Sequence, residues 1–174
     1  MLRKIPSVVI TLGAVSIGIL VLTATLCTSG RSPTYSVPLD ITGPKSTTEL
    51  EVRVSHSDVY TIALNYPYID SPGRAKAWTL AGGATLKGNS WQESGAPFAF
   101  QIRVYEILSG VEVLNKQIDH PGLTSWGAEW LSAELVRTHL VKGRYRVLVD
   151  RSGSLAEEPQ EALQLQFSKA YQGK

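Results

Sequence analysis

The sequence predicts an all-β protein: a single antiparallel β-sandwich of seven to eight strands, Ig-like or Greek-key in its connections, behind an N-terminal transmembrane or signal segment. Three observations carry this. Apolar residues recur at every second position through several short runs, the period of a strand with one buried and one wetted face. Turn residues separate these runs at short intervals, as in sandwiches and unlike βαβ units. Leu140-Val141-Lys142-Gly143-Arg144-Tyr145 has the Leu-x-x-Gly-x-Tyr form of a sandwich corner. In such a corner Leu plugs the core, Gly permits the turn and the Tyr hydroxyl bonds back across it.

The elements follow in chain order. Arg3 and Lys4 precede an uncharged run over residues 7–27. A basic head before a long apolar run marks a secretion signal or an uncleaved anchor, so residues 1–30 form a signal or membrane-anchor segment. Cys27 closes the run in Ala24-Thr25-Leu26-Cys27, where Leu26 is larger than the small residue a lipoprotein signal places there. The expected fates are therefore, in order, a membrane anchor, a cleaved signal, and lipidation at Cys27. Each delivers the body to the periplasmic side of a bacterial inner membrane. Residues 31–45, with Pro33, Pro38 and Pro44, read as a tether holding one short strand around 37–42.

Residues 46–174 are the sandwich domain. Leu50, Val52 and Val54 alternate with charged residues, and Tyr60, Ile62, Leu64 and Tyr66 alternate after the polar turn at 55–58, which predicts a hairpin. Residues 67–97 are rich in Pro and Gly. A short helix is expected over 74–81 and loop elsewhere. Strands resume over 98–104 and 111–118, joined by Ser109-Gly110 as a second hairpin, and again over 128–136, 144–150 and 163–167.

Composition narrows the function. Hydrophobic residues make up 43%, enough for a core and too many for a disordered chain. The net charge of +2 resides in Arg3 and Lys4, so the body is balanced and lacks the basic footprint of a nucleic-acid binder. A single Cys excludes an internal disulfide framework and a Cys-rich zinc site. No GxSxG elbow, Walker loop, HExxH, GxGxxG or EF-hand loop occurs. His56, His120 and His139 are widely spaced and lie in or beside turns, Ser125 has no base at a recognisable spacing, and Glu157-Glu158 is a solvated loop pair. An enzyme, a metal and a cofactor are therefore not expected.

Binding residues are sought among large side chains on loops. Trp91 lies among Gly88, Asn89, Ser90 and Gln92 and is the indole expected to be exposed, with Lys87, Gln92 and Glu93 around it. Trp126 is expected in the core, because Gly127 gives room for a buried indole. Arg137, Lys142, Arg144, Arg146 and Arg151 form the densest basic cluster; Arg144 and Arg146 share a strand face and are the second candidate surface.

The segments FAFQIRVYEI (98–107), GLTSWGA (122–128) and LVKGRYRVLV (140–149), behind a leader, resemble a proteobacterial envelope β-sandwich family, domain-of-unknown-function family 5625. The resemblance implies a non-enzymatic envelope domain and carries no catalytic residues. The function expected is binding of a protein partner, as by an immunity protein that neutralises an envelope-acting toxin encoded by an adjacent gene. The alternative is a carbohydrate- or peptidoglycan-binding module using Trp78, Trp91 or Trp126.

Overall fold

The computed structural model describes residues 33–155 and 157–171. The apolar run at 7–27, Cys27 and the proposed fates of the leader lie outside these residues. Eleven strands and one helix are seen among the described residues. The five-stranded sheet has the order β1 (Tyr35–Pro38), β11 (Gln164–Lys169), β3 (Asp58–Pro67), β9 (Trp130–Leu140), β8 (Ser125–Trp126). The four-stranded sheet has the order β2 (Lys45–Val54), β10 (Gly143–Ser152), β6 (Ala99–Glu106), β7 (Glu112–Asp119). All pairings are antiparallel.

The alternation read from the sequence fills the space between the sheets. Leu50, Val52 and Val54 of β2 face inward, as do Phe100, Ile102 and Val104 of β6, Tyr145, Val147 and Val149 of β10, and Leu165 and Phe167 of β11. Each buried side chain of this size stabilises the fold by about 1.5–3 kcal/mol relative to exposure. Tyr60 stacks on Phe167 with ring centroids 5.2 Å apart.

The expected hairpin of the first two long runs does not form. β2 pairs with β10 and β3 pairs with β9, so residues 55–57 carry the chain from one sheet to the other. Two amphipathic strands joined by a tight turn suit a hairpin or a crossing equally well, because the turn does not say which sheet receives the second strand. Residues 141–142 make the return crossing from β9 to β10 beside it, since Gly143 is in register with Val54 and Asp58 with Leu140. At the second crossing the predicted corner is present: Tyr145 Oη donates to the Val141 carbonyl at 2.9 Å. The first crossing has a corner of its own, where Tyr60 Oη donates to the His56 carbonyl at 2.9 Å. The role expected of Gly143 is revised. Its φ lies outside the left-handed region, and a Cβ there would come within 3.3 Å of the Tyr145 ring. Gly143 makes room for the aromatic ring.

Two further expectations shift. The expected tether is in part a strand: β1 pairs with β11 from Tyr35 onward, earlier than the short strand expected at 37–42. Tyr35 Oη also meets the edge of β2, accepting from the Arg53 N–H at 3.1 Å and donating to its carbonyl at 3.3 Å. Within 67–97, helix α1 spans Ser71–Leu80, starting earlier than expected. Asp70 caps it, its carboxylate accepting from the Gly73 N–H at 2.7 Å, and Pro72 sits in the first turn, where its missing N–H costs nothing. After α1, where loop was expected, β4 (Thr85–Lys87) and β5 (Ser90–Gln92) form a small hairpin around Gly88-Asn89, with Gly88 at φ 61°.

The strand directions give the sandwich two unlike ends. One holds both crossings and the β6–β7 turn; the described chain also begins and ends there, since Tyr35 reaches Arg53 and the Ala170 N–H bonds the Val59 carbonyl. The opposite end holds α1, the β4–β5 hairpin and residues 39–44, 120–124, 127–129, 153–155 and 157–163.

Candidate binding surfaces at the loop end

The β4–β5 hairpin stands on a rigid base. The Gly95 N–H bonds the Gly82 carbonyl at 3.1 Å, and a Cβ at Gly82 would collide with the Gly95 backbone, so these strands of chain approach as only glycines allow. Trp78 is partly buried against the core, lies over Gly83 and donates from its indole N–H to the Ala84 carbonyl at 3.1 Å. Above this base every hairpin strand residue is exposed. Leu86 is paired with Trp91, so both side chains share one face. Thr85, Lys87, Ser90 and Gln92 therefore take the other face.

The candidate residues of the sequence reading are thus partly separated. Trp91 is 71% exposed, as expected. Lys87 and Gln92 share its hairpin but point away from its face, and Glu93 follows the strand. Arg144 and Arg146 are elsewhere, on the outer face of the four-stranded sheet toward the crossing end. There they face Glu49 and Glu51: Arg144 to Glu51 at 3.4 Å, Arg146 to Glu49 at 3.1 Å and to Glu51 at 3.8 Å. This is a mixed-charge ladder, and the expected basic cluster dissolves further because Arg137 is paired with Glu134 and Arg151 is buried.

Arg151 is the charged residue that sequence reasoning missed as structural. It is 1% exposed and lies 5.3 Å from the Phe98 ring centroid. Its Nε donates to the Asp40 carbonyl and to Ser46 Oγ, both at 3.1 Å, and its Nη atoms donate to the Gly43 and Gly153 carbonyls. Burial pulls its pKa down while the nearby Asp40 opposes the shift. The guanidinium fastens residues 40–46 to residue 153.

Trp126 is also corrected. It is 68% exposed. Its partner Leu131 is fully buried, so Trp126 lies on the core-facing side of the sheet, at an edge where little covers it. Gly127 does lie under an indole, but that of Trp130. Leu86 and Ile69 are further exposed apolar residues at this end that the sequence reading passed over. Leu86 was findable, since Leu and Trp lie symmetrically about Gly88-Asn89.

His139 reaches Ser57 at the crossing end, with Nε2 3.3 Å from Oγ, while His120 bonds the Ala96 carbonyl at the loop end. Among the described residues no group of three or more His, Cys, Asp or Glu is placed to hold a metal ion, and no helix is long and apolar enough to cross a membrane. A crevice under α1, lined by Tyr66, Ala77, Leu80 and Gln160, has no room for a water molecule. A wider groove of about 530 Å³ crosses the loop end of the four-stranded sheet, lined by Lys45, Thr47, Ala99, Gln101, Gln117 and Asp150 among others.

Comparison with known proteins bears on the fold. A crystal structure of a protein from Sulfurospirillum deleyianum superposes with a TM-score of 0.62 at 14% identity, covering 80% of this chain and 98% of that one. At that identity the likeness speaks for the sandwich alone. No curated protein matches the chain. The sequence profile of one family matches residues 36–169, from the second residue of β1 to the end of β11. The chain belongs to that family, described as Domain of unknown function (DUF5625).

Proposed function

We propose that this protein is a non-enzymatic binding module that takes hold of a protein partner with the Leu86–Trp91 face of its hairpin. One observation carries the reading: a large apolar pair is held in register, in the open, on a hairpin whose base is locked by glycine packing. Exposed apolar side chains on a rigid mount lose little entropy on binding, and an indole buries a large area at low cost. The basic head and apolar run at the N-terminus support attachment to, or export across, an inner membrane, with the sandwich on the periplasmic side. The described chain begins at the crossing end, which leaves the hairpin free at the far end. A toxin encoded beside this gene is the partner to test first.

The sugar-binding reading through tryptophans has less support. Trp78 is packed and hydrogen-bonded, Trp91 is on the hairpin, and Trp126 is on the core-facing side of an edge strand. They do not line one concave platform.

The test pairs binding with melting. Trp91→Ala and Leu86→Ala should each weaken binding to the neighbouring gene's product, Trp91→Ala by about 2 kcal/mol or more, while leaving the melting temperature nearly unchanged. Trp126→Ala should also melt close to wild type. Undiminished binding and cell protection by the double variant would remove the hairpin from the interface.

A further inference from the structure

We propose that the outer face of the four-stranded sheet carries, at its loop end, a site for a neutral oligosaccharide. This proposal uses a different surface from the hairpin and does not rest on the protein-binding reading. Strand register defines the site. Lys45, Ser152, Ala99 and Asp119 lie abreast on β2, β10, β6 and β7, and the next rank is Thr47, Asp150, Gln101 and Gln117. The short side chains of Ser152 and Ala99 form the floor of the groove between longer neighbours. Its volume of about 530 Å³ lies within the range of small-ligand sites. Each rank spans three strand spacings of about 4.8 Å, roughly 14 Å in all, long enough for a short chain of sugar rings.

The chemistry of the ranks selects the ligand class. The second rank offers a hydroxyl, a carboxylate and two amides, groups that donate to and accept from sugar hydroxyls. They are held in place by one another. Thr47 Oγ1 donates to Asp150 at 2.7 Å, Arg103 pairs with Asp150 at 2.5 Å, Gln101 donates to Asn115, and Gln117 donates to Asp119 at 3.2 Å. Each of these bonds to Gln101 and Gln117 uses the amide nitrogen and leaves the amide oxygen as an acceptor. An anionic ligand would need more positive charge than Lys45 supplies, because the Arg103 charge is met by Asp150. A metal cation finds no cluster of ligands here among the described residues. An apolar ligand finds no large exposed apolar side chain in either rank. A neutral polyhydroxylated chain fits what remains. Further toward the crossing end the same face carries the paired charges of Glu49, Glu51, Arg144 and Arg146.

The experiment titrates the full-length protein, kept in a detergent without a sugar headgroup, with hexamers of β-1,4-linked N-acetylglucosamine, β-1,4-linked glucose and α-1,4-linked glucose. At least one hexamer should bind with a Kd between micromolar and low millimolar. The Gln101→Ala, Gln117→Ala double variant should weaken that binding at least about tenfold with an unchanged melting temperature. Ala99→Arg, which fills the floor, should do the same, and Trp91→Ala should bind as wild type. No binding of any hexamer, or binding that survives both groove variants, overturns the proposal. Loss confined to Trp91→Ala also overturns it, by moving sugar recognition to the hairpin. Because the Trp91 variant separates the two surfaces, either proposal can fail alone.

Discussion

The two ends of this sandwich handle the same problem, turning strands around, by different physics. At the crossing end the connections are short and the corners are fixed by tyrosine hydroxyls bonded to carbonyls four residues back, at 2.9 Å in both cases. Two sheets are tied there by adjacent crossings that run in opposite directions. The loop end holds the two longest connections, one of them carrying a helix and a hairpin, and order comes from a buried guanidinium, glycine-on-backbone contacts and a helix cap. The exposed tryptophans Trp91, Trp126 and Trp130 are all at this second end, while Leu108, Val111, Val141 and Tyr171 are exposed at the first. Both ends expose apolar side chains, but the indoles stand in or beside the connections of the loop end, where long segments on a firm support can present them outward.

Three measurements test that contrast. The largest effect should come from the loop end, at Arg151. Arg151→Met keeps the volume but leaves the Gly43 and Gly153 carbonyls without the guanidinium, while the Asp40 carbonyl keeps only the Ser46 hydroxyl, so unfolding in urea should show a loss of about 3 kcal/mol. A loss below 1 kcal/mol, on the order of an ordinary surface change, would show that the loops order themselves without the guanidinium.

Smaller effects are expected from the corners. Tyr60→Phe and Tyr145→Phe should each cost about 1–2 kcal/mol, the worth of a hydrogen bond inside the fold. If the corners are equivalent the two costs should match. Gly143→Val should cost more than Tyr145→Phe, because the added side chain meets the Tyr145 ring. A Gly143→Val protein that melts like wild type would refute the packing role assigned to this glycine.

The smallest effect is acid sensitivity, present at both ends. Hydrogen bonds from the Thr42 backbone and side chain hold Asp40 below its ordinary 3.8 at the loop end, and a bond from Lys169 does the same for Asp58 at the crossing end. A carboxylate with a depressed folded value stabilises fully above its unfolded value, and that contribution fades as pH falls through the folded value. Melting temperature should therefore be flat near neutrality and begin to fall below about pH 4. Asp40→Asn and Asp58→Asn should each flatten the decline slightly; an unchanged acid limb in both would take these groups out of the linkage.

Much of the fold was legible because alternation reports which side of a strand is buried, and Leu-x-x-Gly-x-Tyr reports a corner. Pairing was less legible. The run ending at Val54 and the run beginning at Asp58 look alike as partners, and only the competing strands β9 and β10, far along the chain, divert them into different sheets. The corner at the first crossing was hidden because Tyr60 lacks the Leu and Gly signature of its twin. The site was read least well. Trp91 stood out by its polar neighbours, but the face it shares with Leu86 depends on the register of β4 and β5, and Lys87 and Gln92 fall on the other face for the same reason. Arg151 looked like its exposed neighbour Arg146 although its parity along β10 places it with Val147 and Val149. The groove has no sequence signature, since its ranks are assembled from four strands.

Strand β1 has a mechanical consequence. It enters at the crossing end and runs toward the loop end, held to β11 along Tyr35–Pro38. A pull between the start of the described chain and something held at the hairpin would act along β1, across its interstrand hydrogen bonds. Such a load shears the bonds together and does not peel them one by one. The Tyr35 hydroxyl, bonded to both backbone groups of Arg53, adds a second point of attachment on the other sheet. Traction on this end is shared between both layers of the sandwich.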